Sequence, residues 1–136
     1  MNPRTIFLAK LIGLFCILFA LSMLLRRQQT ITAVDGLLHD APLMFVTGLV
    51  TLGLGIAMAL SHNIWKGGAL PIIVTILGWV TLIKGLLLLS LSQDISSNLF
   101  LKVLRYDSYF YLYVAFAFLL GAYLFYAAAT SKAREA

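Results

Sequence analysis

Lys84 has the most unusual setting of any charged residue in this chain. It sits in Gly78-Trp79-Val80-Thr81-Leu82-Ile83-Lys84-Gly85, inside an apolar run covering residues 71–91. A charge within a membrane-spanning helix is costly and marks a candidate functional position. It lies about 10 Å from the far end of that run, so the ammonium reaches the headgroups only with a stretched side chain. Thr81 precedes it by three residues on a neighbouring face, and Asp94, Asp107, Tyr109 and Tyr113 fall near the same end of the run. Together these form a candidate polar cluster. It would serve as an anion or lipid-headgroup pocket, or as part of a conduction path. The plainer alternatives are a snorkelling lysine, or one pinned to an aspartate to fix its helix.

Other chemistry finds little support. The two histidines, His39 and His62, flank an apolar run of about 20 residues, which as a helix separates them by roughly 30 Å, so one metal cannot use both. His39 with Asp35 and Asp40 makes a trio common by chance, and no metal site is expected. Glu135 is the single glutamate, and no carboxylate falls inside any apolar run. Ser90 and Ser92 have no histidine on their side except His39, so no nucleophile–base arrangement emerges. Gly67-Gly68 is too short to cradle a phosphate. The chain is therefore expected to be neither an enzyme nor a cofactor carrier. Cys16 is the only cysteine, so no intrachain disulfide forms, and a small packing residue is expected there.

The elements that would position these residues are membrane helices. Of 136 residues, 62% are hydrophobic and 11% charged, about half the charge share of a soluble domain. Four apolar runs, residues 5–25, 41–60, 71–91 and 108–129, approach the roughly 20 residues that cross a hydrocarbon core. Lipid offers the backbone no hydrogen bonds, so these runs must be helices. The expected fold is all-α: one membrane domain over residues 1–136, with four transmembrane helices and both ends on one side. Arg4 and a weak Ala20-Leu21-Ser22 site hint at a signal peptide, but the run continues to Arg26-Arg27, which suits a retained helix.

Between the runs, residues 26–40 carry Ile31, Val34, Leu37 and Leu38 at helical spacing with polar residues between, predicting a short interfacial helix. Gly36 weakens that helix. Residues 92–107 carry Leu99, Phe100, Val103 and Leu104 in the same manner, with Ser96 or Ser97 as cap. In the second run, Thr47, Thr51, Gly55 and Ala59 form a small-residue stripe widened by Gly48 and Gly53, the pattern by which membrane helices pack closely. Ala9 with Gly13 and Ala117 with Gly121 do the same elsewhere, and Gly78, Thr81 and Gly85 share a face of the third run. Lys10, five residues into the first run, is within reach of the headgroups. The fourth run is aromatic at both ends, as at two interfaces.

The turn at residues 61–69 holds His62, Asn63 and Trp65. His62 and Asn63 suit a helix C-terminus, as a cation and a left-handed residue; Trp65 suits the water–lipid boundary. Gly67-Gly68 and Pro71 turn the chain and start the third helix. Leu11-Ile12-Gly13-Leu14 echoes Leu82-Ile83-Lys84-Gly85-Leu86, and Gly53-Leu54-Gly55 loosely echoes Gly121-Ala122. This points to two repeated helical hairpins related by an axis along the membrane normal, with interfacial helices on one face.

His62-Asn63-x-Trp65 followed by Gly78-Trp79 and Lys84-Gly85, with Leu119-Leu120-Gly121-Ala122-Tyr123-Leu124 near the end, resembles a group of small uncharacterised bacterial four-helix integral membrane proteins with an HNxW…GWxxxxKG pattern. The resemblance implies a bacterial inner membrane location and transfers no activity. Lysine and arginine are spread almost evenly over both sides, so orientation leans only slightly to cytoplasmic termini. The net charge of +5, spread in this way, suits headgroup anchoring and excludes a nucleic-acid surface. Expected partners are the lipid bilayer and either another membrane protein or further copies of the chain. Two functions remain open: a non-enzymatic scaffold or accessory subunit that binds a membrane partner through its small-residue stripes, and an oligomeric small transporter or channel component using the polar face around Lys84.

Overall fold

Prolines and small polar residues mark where the helices begin. Asn2 caps α1 (Pro3–Leu25) by accepting the Arg4 N–H at 3.0 Å, with Pro3 in the first turn. Asp40 caps α3 (Ala41–Ser61) by accepting the Leu43 N–H at 2.9 Å, with Pro42 in the first turn. Proline is tolerated there because first-turn N–H groups have no helical partner in any case. For the same reason α4 (Ala69–Ser90) starts two residues ahead of Pro71. Gly67 and Gly68 lead into it at φ 96° and 116°, a backbone region that only glycine enters freely.

The computed structural model describes residues 2–99, 102 and 108–135. Among these the chain is all-α. Four helices are long and apolar enough to cross a membrane: α1, α3, α4 and the segment Phe110–Ser131 of α6 (Phe110–Glu135). These are the four runs read from the sequence, displaced by at most a few residues. Their outward faces carry many exposed large apolar side chains, Leu25 and Leu60 above 80% exposed among them. Such a surface is far too apolar for water and is consistent with a multi-pass membrane protein.

The two short connecting helices are α2 (Arg27–His39) and α5 (Gln93–Asn98). They pack on each other and so lie at one end of the bundle. In α2 the expected stripe holds: Leu38 is buried and Ile31, Val34 and Leu37 are half-buried, while Gln28, Gln29, Asp35 and His39 are exposed. Gly36 does not interrupt the helix. The cap of α5 differs from expectation. Ser92 occupies the N-cap position, and Ser96 and Ser97 lie buried inside the helix. The helix starts earlier because the break after Ser90 is only two residues long. Of the apolar set expected to continue it, Phe100, Val103 and Leu104 lie outside the described residues.

The closely packed pairs are α3 with α4 and α1 with α6. The halves read as hairpins, α1 with α3 and α4 with α6, are not closely packed pairs. Small residues explain the choice. A methyl group added to Gly55 would lie against the backbone of Leu82, and one added to Gly85 against the backbone of Leu52. At Gly13 a Cβ would come within 2.8 Å of the Gly121 carbonyl oxygen, and Gly121 faces Cys16 in turn. Cys16 is thus a packing residue against α6. Gly53 departs from the expected stripe: it is exposed, and a Cβ there meets nothing within 4 Å, because its position points away from α4.

The pairs are joined at one end by Ile6, Ala9, Leu70, Val74, Leu124 and Ala128. At the other end Ala20, Met23, Phe110 and Val114 seal α1 against α6, with Ile31 of α2 beside them. The Arg27 guanidinium sits 5.6 Å from the Phe110 ring centre and 5.3 Å from that of Tyr111. This cation–π contact ties α2 to the start of α6.

Candidate functional site

His62 follows the last turn of α3, and its N–H continues the helical bonding to the Met58 carbonyl at 2.8 Å. Its side chain does not point to water as a helix-terminal cation would. The residue is only 2% exposed. Nε2 lies 2.8 Å from the Thr5 hydroxyl of α1, and Nδ1 lies 3.1 Å from the Thr75 hydroxyl of α4. A buried ring of this kind needs a partner at both nitrogens, and the short turn plus the first two turns of α4 brings Thr75 within reach. His62 thus holds the expected C-terminal position of α3 and, beyond that expectation, serves as a buried three-helix tie.

Thr75 Oγ1 accepts the Ile64 N–H at 3.1 Å and lies within bonding distance of the Pro71 carbonyl at 2.9 Å and the Ile64 carbonyl at 3.0 Å. With its proton directed to either carbonyl, Thr75 accepts from Nδ1 and Nε2 accepts the Thr5 O–H; with its proton directed to Nδ1, Nε2 donates to Thr5. Both neutral tautomers engage both ring nitrogens. The ring then offers no vacant lone pair to a metal or a substrate, and no carboxylate orients it. Its chemistry is that of a staple linking α1, α3 and α4.

The rest of the turn motif joins the same unit. The Asn63 side-chain oxygen accepts from the Trp65 indole at 2.7 Å and from the Trp79 indole at 3.4 Å. His62, Asn63, Trp65 and Trp79 thus act together to hold the α3–α4 turn against the first turns of α4. Both tryptophans of the chain converge on one oxygen. Asn63→Ala is expected to free both indoles, raise their quenching by aqueous acrylamide, and cost about 1 kcal/mol. Unchanged quenching would remove Asn63 from that role.

Of the cluster expected around Lys84, Thr81, Asp94, Tyr109 and Tyr113 fall with it among the described residues. Lys84 is exposed on α4; Thr81 is half-buried and donates its hydroxyl to the Leu77 carbonyl at 2.7 Å. Asp94 and Tyr109 are exposed and Tyr113 is half-buried. Asp107 lies outside the described residues. Among the described residues, no hydrogen bond or ion pair links Lys84 to Thr81, Asp94 or Tyr109. His39 contacts Asp35 across one helical turn, with Nδ1 2.8 Å from the carbonyl and 3.5 Å from the carboxylate, both side chains open to solvent. Asp40 is committed to capping α3. No group of three or more metal-ligating side chains occurs among the described residues.

Thr5 and Thr75 were not singled out from the sequence. The signal for them is weak but physical. A histidine at the end of an apolar helix, followed by a tight glycine turn, is carried back toward the bundle and must find two partners there. No known family, curated protein or solved structure matches this chain.

Proposed function

We propose that this chain is a non-enzymatic scaffold or accessory subunit of the bacterial inner membrane, packing against a membrane partner through its outward helix faces. The observation that carries the reading is the consumption of the bundle's buried histidine. His62 spends its bonding capacity on Thr5 and Thr75, so the most chemically capable buried side chain serves architecture. Lys84 is exposed on α4 in the single chain, so a transport role would need further copies to enclose it. The location rests on the resemblance carried by His62-Asn63-x-Trp65 and Gly78-Trp79…Lys84-Gly85.

The finer architecture belongs to the same proposal. Two related halves, each a span, a short helix and a span, exchange by a half-turn about the membrane normal. That operation carries the α3/α4 pair onto the α6/α1 pair, and it leaves the α2–α5 and α1–α4 contacts in place. Tagged chain extracted from native membranes in mild detergent is expected to migrate above its monomer mass with a defined companion. A solitary monomer at native abundance sinks the scaffold reading. So does a solute flux in vesicles that Lys84→Met abolishes while assembly persists.

A further inference from the structure

We infer that the face of α4 bearing Lys84 docks a transmembrane helix of another protein that carries an aspartate or glutamate within its span. This deepens the accessory role and rests on it. Lys84 lies six residues before Ser90, the last residue of α4, or roughly 9 Å along the axis. Helical side chains lean toward the N-terminus of their helix. The nearer surface for Lys84 lies at the C-terminal end, so its ammonium is carried toward the bilayer centre. Lys10 shows the opposite arrangement. It stands seven residues after Pro3 in α1, about as deep, and leans toward its own near surface. Snorkelling thus accounts for Lys10 and runs against the side-chain direction at Lys84.

The ammonium needs an anionic partner, and among the described residues no carboxylate lies within a span and no ion pair reaches Lys84. The five acidic residues are Asp35, Asp40, Asp94, Asp107 and Glu135, and all fall outside the four spans. Asp35 faces His39, and Asp40 caps α3. A second copy brings the same deficit, and a two-fold pair through this face would set two ammonium groups against each other. The surroundings suit a helix. Leu70, Ile73 and Leu77 lie along the Lys84 side of α4 and pack on the cluster that joins α1 and α6. Two turns beyond Leu77, Lys84 is exposed with Val80, Ile83 and Leu87 around it. An apolar helix with one carboxylate matches both the surface and the charge.

The test uses the full chain, fluorescently labelled and reconstituted in phosphatidylcholine vesicles. The probe is a leucine-rich transmembrane peptide of about 20 residues with a single glutamate roughly 9 Å from one end; a glutamine peptide is the control. Energy transfer is expected to report association about tenfold tighter for the glutamate peptide. Lys84→Met should erase the preference and Lys84→Arg retain it, both with native tryptophan emission. Equal binding of the two peptides, or a preference that survives in Lys84→Met, overturns the inference. So does loss of the preference when phosphatidylglycerol replaces part of the lipid, since a headgroup is then the occupant. A chain that is solitary in native membranes yet prefers the glutamate peptide would sink the accessory role and leave the carboxylate selectivity standing.

Discussion

Gly85→Ala and Gly55→Ala should each lower the stability of the folded chain by about 3 kcal/mol, the upper end for overpacking. The reason is what the new methyl group meets. At Gly85 it lies against the backbone of Leu52, and at Gly55 against the backbone of Leu82. No rotamer change relieves a contact with main chain, so α3 and α4 must separate along their length. Gly48 offers a graded comparison. A Cβ there meets Leu88 Cβ and the end of the Leu89 side chain, all at 3.1 Å, and Leu89 can shift in part. Gly48→Ala should cost less, and Leu89→Ala should relieve some of that cost. Gly53→Ala should cost nothing, since nothing lies within 4 Å. Gly36→Ala, on the exposed side of α2, should gain up to about 1 kcal/mol of helix propensity. Reversible unfolding in mixed micelles, followed by tryptophan emission, ranks the series. Equal midpoints for Gly85→Ala and Gly53→Ala would mean that close approach of the two helices is not what holds them.

Those glycines also show why the fold was largely legible and its pairing was not. The four spans follow from length and hydropathy, because lipid admits no other backbone solution for such runs. The α2 stripe follows from Ile31, Val34, Leu37 and Leu38 at helical spacing. Pairing is a different kind of information. Gly13, Gly55, Gly85 and Gly121 say that four helices approach something closely, and any two apolar helices satisfy that statement on paper. Only the folded chain matches Gly13 with Gly121, and Gly85 with Leu52. Gly53 carries the same lesson in reverse: its type is right for a packing stripe, and its angular position is wrong. At the candidate site, His62, Asn63, Trp65 and Trp79 were recognised as a motif through their identity and spacing. The partners that give His62 its role, Thr5 and Thr75, lie 57 and 13 residues away. Threonine in a membrane helix commonly satisfies itself on the preceding turn, as Thr81 does, so its sequence context does not single it out. Lys84 was legible as an anomaly because one charge among leucines is conspicuous. Its surroundings depend on side-chain direction and on which neighbours turn toward it, and periodicity carries neither.

His62→Ala is expected to cost about 3 kcal/mol, measured in the same micellar unfolding assay. Two contributions combine: the space left by a buried ring and the loss of its two hydrogen bonds. Two further variants separate them. His62→Phe restores most of the volume and leaves the Thr5 hydroxyl facing a hydrocarbon edge, so about 2 kcal/mol should remain lost. Adding Thr5→Val removes that stranded hydroxyl with little change in shape. Exchanging both partners of a buried hydrogen bond for apolar groups is nearly neutral, so the double variant should regain most of the deficit. Thr75 needs no such compensation, because Ile64 and Pro71 still engage its hydroxyl. The interaction energy from the cycle, His62→Phe against Thr5→Val, therefore isolates the bond that ties α1 to the α3–α4 turn. Bundles of this kind have no hydrophobic effect between helices to fall back on, and single polar contacts there commonly contribute about 0.6 kcal/mol. A coupling well above that value is expected, because the imidazole is 2% exposed and has no alternative partner when α1 departs. A coupling near zero, with His62→Phe as stable as the native chain, would mean that the ring acts only by filling space.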